Sequence, residues 1–176
     1  VSNSLGISAD DYTISEQQMR VITNAGWTHL QSQIASTNAY VVTNNQIIDT
    51  NGVFVVEDLS YASNSTLTID SGGQLIVSSN YYSTNTGTLI IGANSGATNE
   101  PVVVTNTMYL GGTLEVDFVN GTSFGTITTI ATASNFDGNF AVVTNNIPGV
   151  RLRPIIVGDP VYRVISAPSS YAQMAL

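Results

Sequence analysis

The chain offers one histidine, His29, and twelve carboxylates for proton transfer or metal binding, and it has no cysteine. A metal site built on histidines is therefore excluded, as are a thiolate nucleophile and a thiolate metal site. A Ser-His-Asp arrangement would have to use His29. Its setting, Trp27-Thr28-His29-Leu30, reads instead as local packing or a helix-surface position. Six of the acids form three close pairs: Asp10-Asp11, Glu57-Asp58, and Glu115 with Asp117. On a strand, a spacing of two places Glu115 and Asp117 on one face and Leu114, Val116 and Phe118 on the other. Carboxylates are hard oxygen ligands suited to calcium, but no Asp/Asn/Gly loop has the spacing of a calcium motif. A solvated outer face is the plainer reading. Glycoside hydrolysis would need two carboxylates flanking a groove, and nothing singles out a pair. The expectation is no catalytic residue, no metal, no cofactor and no enzymatic activity.

Three other groups of residues invite contact with partners. Asn64-Ser65-Thr66 and Asn120-Gly121-Thr122 match the N-glycosylation pattern beside turns, where a glycan fits. Tyr81-Tyr82 is the one adjacent aromatic pair; in a loop it would make a sugar-stacking or subunit-contact patch. All four basic residues are arginine, and three of them, Arg151, Arg153 and Arg163, lie close together near the C-terminus. Eleven of the twelve acids precede that segment. An acidic body with a basic end permits head-to-tail association, which makes these three arginines assembly candidates.

The elements that would position these residues must come from an unusual composition. The chain has 176 residues, 43% hydrophobic and only 9% charged, with a formal charge of -8. A domain of that size can build a core, and charged residues make up roughly 25% of an ordinary one. The negative charge disfavours nucleic acid and anionic membranes as partners, and no apolar run is long enough for a spanning helix. No signal peptide is visible, and a start at Val1 is what a mature, exported product would show. Low charge, no lysine, no cysteine and abundant Thr, Asn and Gly suit an extracellular or cell-surface β-rich protein.

Residues 1–38 read as a polar arm and a short helical cap. Ser15-Glu16-Gln17-Gln18 has the form of a helix start, and Met19, Ile22, Leu30 and Ile34 follow roughly helical spacing. Such a cap would bury Trp27 and Leu30. From 39 to 165 the chain reads as β-rich, with strands in Tyr40-Val41-Val42, Ile47-Ile48 and Val53-Phe54-Val55-Val56. Asn51-Gly52 is either a hairpin turn or a coil corner. Residues 166–176 read as a flexible or subunit-exchanging tail. A Gly-(Thr/Gln)-(Leu/Ile) opening recurs with its glycine at 73, 87, 112 and 125. The middle step resembles two ordinary steps, with Val102-Val103-Val104 filling the gap.

Two architectures fit: a single-stranded parallel β-helix with an N-terminal helical cap, and an antiparallel β-sandwich. The recurring glycine favours the β-helix, in which each coil buries its inward residues on the next. Strands near 67, 75, 89, 114 and 127 would then stack in parallel at about 4.8 Å. Gly112-Thr113-Leu114-Glu115-Val116, Gly125-Thr126-Ile127, Phe136-Asp137-Gly138-Asn139-Phe140 and Pro148-Gly149-Val150-Arg151-Leu152 resemble the passenger region of bacterial autotransporter-type surface proteins and adhesins. The resemblance, which lacks a translocator barrel, implies a β-helical fold and a secreted or surface habit. The functional expectation is a secreted or cell-surface structural protein forming a homo-oligomer or polymer, such as a fibre, sheath or surface layer. The alternatives are an adhesin or carbohydrate-binding module that meets glycans, and a polysaccharide-acting β-helix enzyme.

Overall fold

The computed structural model describes residues 20–24, 27–31, 38–156 and 160–170. Short β-branched and aromatic runs separated by Asn, Gly and Ser turns become strands throughout these residues. In chain order they are β1 (Arg20–Asn24), β2 (Trp27–Gln31), β3 (Tyr40–Val42), β4 (Asn45–Ile48), β5 (Val53–Val56), β6 (Leu59–Tyr61), β7 (Thr66–Ile69) and β8 (Gln74–Val77). There follow β9 (Tyr81–Tyr82), β10 (Thr88–Ala93), β11 (Val102–Leu110), β12 (Thr113–Phe118), β13 (Ile127–Gly138), β14 (Val142–Asn145), β15 (Val150–Ile155) and β16 (Val161–Pro168).

The pairing is that of a parallel β-solenoid with three faces. On the first face β4, β7, β10, β12 and β14 follow one another in parallel, with β2 and β1 ahead of β4. The second face stacks β5, β8, Val102–Val104 of β11 and Ala131–Ala133 of β13. The third stacks β3, β6, β9, Met108-Tyr109 of β11 and Phe136-Asp137 of β13. The long strands β11 and β13 each run across two faces, with a register irregularity between Val104 and Thr107 where the sheet bends. Gln46, Leu67, Leu89, Leu114 and Val143 are successive partners, so one turn takes 21, 22, 25 and then 29 residues.

That register explains the core. Side chains alternate in and out along each strand, as the burial of β10 and β12 shows. Leu67, Leu89 and Leu114 therefore meet on one inward row, and Ile69, Ile91 and Val116 on the next, all buried. Phe54, Leu75 and Val102 do the same on the second face, and Leu59, Tyr81 and Met108 on the third. Each such side chain contributes about 1.5–3 kcal/mol, against a backbone ordering cost of about 1–2 kcal/mol per residue.

Several sequence expectations change. β7 and β8 do not form a hairpin; each pairs with the strand one turn on, so the sandwich alternative fails. The recurring glycines do not mark one repeat: Gly87 and Gly112 precede β10 and β12 on the first face, whereas Gly73 precedes β8 on the second. The step from Gly87 to Gly112 is thus a single turn, and Val102–Val104 belongs to another face. Of the strands expected to share one stack, those at 67, 89 and 114 do so, and the one at 75 lies on the second face. The segment at 127 pairs antiparallel with β16. Asn51-Gly52 is a coil corner: Asn51 is left-handed, and the Gly52 N–H donates to Asp49 O.

Both ends of the solenoid leave the parallel pattern. At the C-terminal end β15 and β16 form an antiparallel hairpin laid against β13. β16 runs to Pro168, and the buried Ser166 hydroxyl donates to Ser123 O, so the first residues of the expected tail are strand. Residues 171–176 lie outside the described residues. So do 1–19, 25–26 and 32–37 of the expected helical cap, together with the side chain of Trp27. What is described there is an antiparallel pair of strands, β1 with β2, rich in β-branched and aromatic residues. Leu30, on β2, is fully buried.

Candidate functional site

Of the described residues that the sequence marks for chemistry, Tyr81 points inward and the others lie on outward rows, corners or the C-terminal hairpin. Asp49 and Asp70 follow β4 and β7 at the same corner of successive turns, one above the other. His29 on β2 closes the row, its Nδ1 2.8 Å from both carboxylate oxygens of Asp49. Burial, then the charge of Asp49, raises the Asp70 carboxyl, and His29 partly offsets this. The histidine therefore compensates a stack of acids that the coil spacing forces together. Among the described residues no group of three or more His, Asp or Glu side chains is placed to hold a metal ion.

Glu57 is exposed, and the Asp58 carboxylate accepts a hydrogen bond from the Asn80 N–H at 2.9 Å, tying one corner to the next. Asp10-Asp11 lies outside the described residues. Glu115 and Asp117 do share the outward face of β12, where Glu115 sits between Ile90 and Thr144. Burial, the neighbouring charge of Asp117 and a hydrogen bond to that carboxyl all raise the Glu115 pKa. Folded protein then holds this proton more tightly than unfolded chain. This group's contribution to stability is thus fully present below the ordinary value of 4.5 and is lost as pH rises through the folded pKa. Glu115→Gln is expected to melt above the parent at pH 7 and to converge with it as pH falls below that value. Equal melting at pH 7 would show that the carboxylate pair carries no strain.

Tyr81 and Tyr82 part company. Tyr81 is fully buried, and its hydroxyl lies 2.7 Å from that of Tyr61 one turn earlier. Tyr82 is 40% exposed and stacks on Tyr109 of the next turn, with ring centroids 4.9 Å apart and planes within 5°. The stack covers one face of each ring, and both rings remain partly exposed. Asn64 is exposed and left-handed, a corner conformation that asparagine tolerates. Asn120 is exposed, and its Nδ2 donates to Asn94 Oδ1 of the preceding turn at 3.0 Å. A shallow groove of about 470 Å³ at the corner between the first and second faces is lined by neutral polar residues, Val53 and Glu100.

The arginines gather on the C-terminal hairpin. Arg151 and Arg153 are exposed on β15, on either side of the buried Leu152, and Arg163 lies on β16 between Ile155 and Thr129. β15 pairs only with β16 among the described residues, so it is an edge strand. Pro154, also on β15, has no N–H to offer a further strand. Two charges and a proline together blunt that edge.

A strand near Phe140–Val143 is expected from the sequence, but its place as the terminal strand β14 is what sequence reasoning missed. This strand is the last of the first face, Val142-Val143-Thr144-Asn145, paired with β12 on one side only among the described residues. It has no charge, no proline and no bulge in its register, and Val142 is 51% exposed. The only signal was the absence of those protective features, which has meaning once the strand is known to be terminal. No protein-family model matches the chain, nor does any curated protein or solved structure.

Proposed function

We propose that the protein is a secreted or cell-surface structural subunit that self-assembles into a fibre, sheath or surface layer and performs no catalysis. The observation that carries this reading is the unclosed end of a parallel stack. A β-solenoid grows by adding a strand to each face, and among the described residues the first face ends at β14, whose far side pairs with no strand while the Asn145 Nδ2 donates to Val150 O at the start of β15. Such an edge is a template for another chain. One outward row supports the same reading: on the first face Thr66, Thr88 and Thr113 stack in register, an uncharged row that repeats from turn to turn. The composition, with neither lysine nor cysteine and little charge, favours an extracellular or cell-surface setting. The β-solenoid is the fold that the likeness of Gly112–Leu152 to autotransporter-type passengers and adhesins implies. No described helix is long and apolar enough to cross a membrane.

Sedimentation and electron micrographs of the natively isolated protein test this reading. Elongated assemblies that grow with concentration are expected. A monodisperse monomer over a hundredfold concentration range would overturn it.

A further inference from the structure

We propose that copies join head to tail through a single continuous sheet, with β14 of one copy pairing with β1 of the next. This rests on the self-assembly reading and names its joint. The seven-stranded sheet begins at β1 and ends at β14, and each of these pairs on one side only among the described residues. One molecule thus carries both halves of a strand-addition contact. Because the two halves differ and lie at opposite ends of one sheet, the contact is heterologous and repeats head to tail instead of closing as a two-fold dimer.

The backbone of β14 is ready for this. In a parallel ladder, alternate residues turn their N–H and C=O groups towards one neighbour or the other. The Val142 N–H donates to Gly112 O, which places Val143 and Asn145 with their peptide groups towards the open side. Outward on the same strand stand Val142 and Thr144, neither charged. Charge favours β1 as the partner. Glu115 and Asp117 lie one strand in from the open edge, on β12, and the five residues of β1 contain one charge, Arg20. The other terminal strand at this end, β15, is the blunted one, so its arginines flank the joint and do not form it.

The test uses the full chain, whose lack of cysteine makes engineered thiols unique. Thr144→Lys puts a charge on the open edge while facing Glu115 across the ladder, so the fold keeps an opposite-charge pair. Self-association at least tenfold weaker than the parent is expected, with an unchanged melting temperature. Arg151→Glu, Arg153→Glu is expected to assemble like the parent. Thr144→Cys is then combined in turn with Val21→Cys, Ile22→Cys and Thr23→Cys, since neighbouring strand positions point to opposite faces. Mild oxidation should give a ladder of covalent dimers, trimers and higher species for at least one combination. Parent-like assembly by Thr144→Lys would overturn the joint, as would the absence of a ladder in all three combinations. Covalent dimers from Thr144→Cys alone would also overturn it, in favour of a two-fold β14–β14 contact. A parent that never associates fails the self-assembly reading itself, before the joint is in question.

Discussion

Gly112→Ala is expected to be among the most destabilising single-methyl additions in this protein, and Gly125→Ala to cost far less. Both glycines have left-handed backbones, φ +62° and +81°, so alanine at either position carries a strain of about 1–2 kcal/mol. Their surroundings differ. A Cβ at Gly112 would stand 2.2 Å from Gly87 O and 2.5 Å from Thr84 O, backbone atoms of the preceding turn, whereas a Cβ at Gly125 would meet nothing within 4 Å. Gly87 O also accepts the Thr113 N–H at 3.0 Å, so moving that carbonyl breaks the ladder between turns. Overpacking adds about 1–3 kcal/mol at position 112. Denaturant melts of the two variants check this. Equal losses would mean that the left-handed backbone alone, and not the closeness of the coils, requires the glycine.

Tyr61→Phe and Tyr81→Phe should each cost about 1–3 kcal/mol, and the double variant much less than their sum. The two hydroxyls, 2.7 Å apart inside the solenoid, are buried partners on successive turns. Removing one strands the other without water, whereas removing both leaves two rings that still meet edge to face at 5.8 Å. A double-mutant cycle reads the coupling directly, and simple additivity would mean that the hydroxyls do not depend on each other. Burial holds both phenols well above their ordinary value of 10.0. The folded state therefore keeps protons that the unfolded chain loses, and stability is expected to fall as pH climbs above about 10. Tyr61→Phe, Tyr81→Phe should flatten that alkaline loss.

Much of the strand content was legible. Val53-Phe54-Val55-Val56 and Gln74-Leu75-Ile76-Val77 read as strands from their apolar, β-branched character, Thr113-Leu114-Glu115-Val116 also alternates with a period of two, and all three are strands buried at every second residue. The same alternation placed Glu115 and Asp117 together on an outward face, and Arg151 with Arg153. These are local facts: a strand's pleat decides which neighbours share a face, whatever the strand pairs with. The region around Arg20–Gln31 was harder to read, since Met19, Ile22, Leu30 and Ile34 can be counted on a helical period while Val21-Ile22-Thr23 and Trp27-Thr28 suit strands equally well.

What the sequence determined by itself is a β-rich chain with little charge and few groups fit for catalysis, with stacked coils as one of two architectures it allowed. The tertiary structure alone decided which coil lies on which. A turn lengthens from 21 to 29 residues along the first face, so no fixed period aligns Tyr82 with Tyr109, Asp49 with Asp70, or Gly87 with Gly112. Corner loops change length without disturbing the inward rows, because hydrogen bonds between turns and side-chain burial fix the register, and loop length costs little. For the same reason the sequence did not show that Val142–Asn145 and Val150–Ile155 are edges. The arginines and proline of the second segment are visible in the sequence, but only the places of both strands at the ends of different sheets give those residues a guarding role.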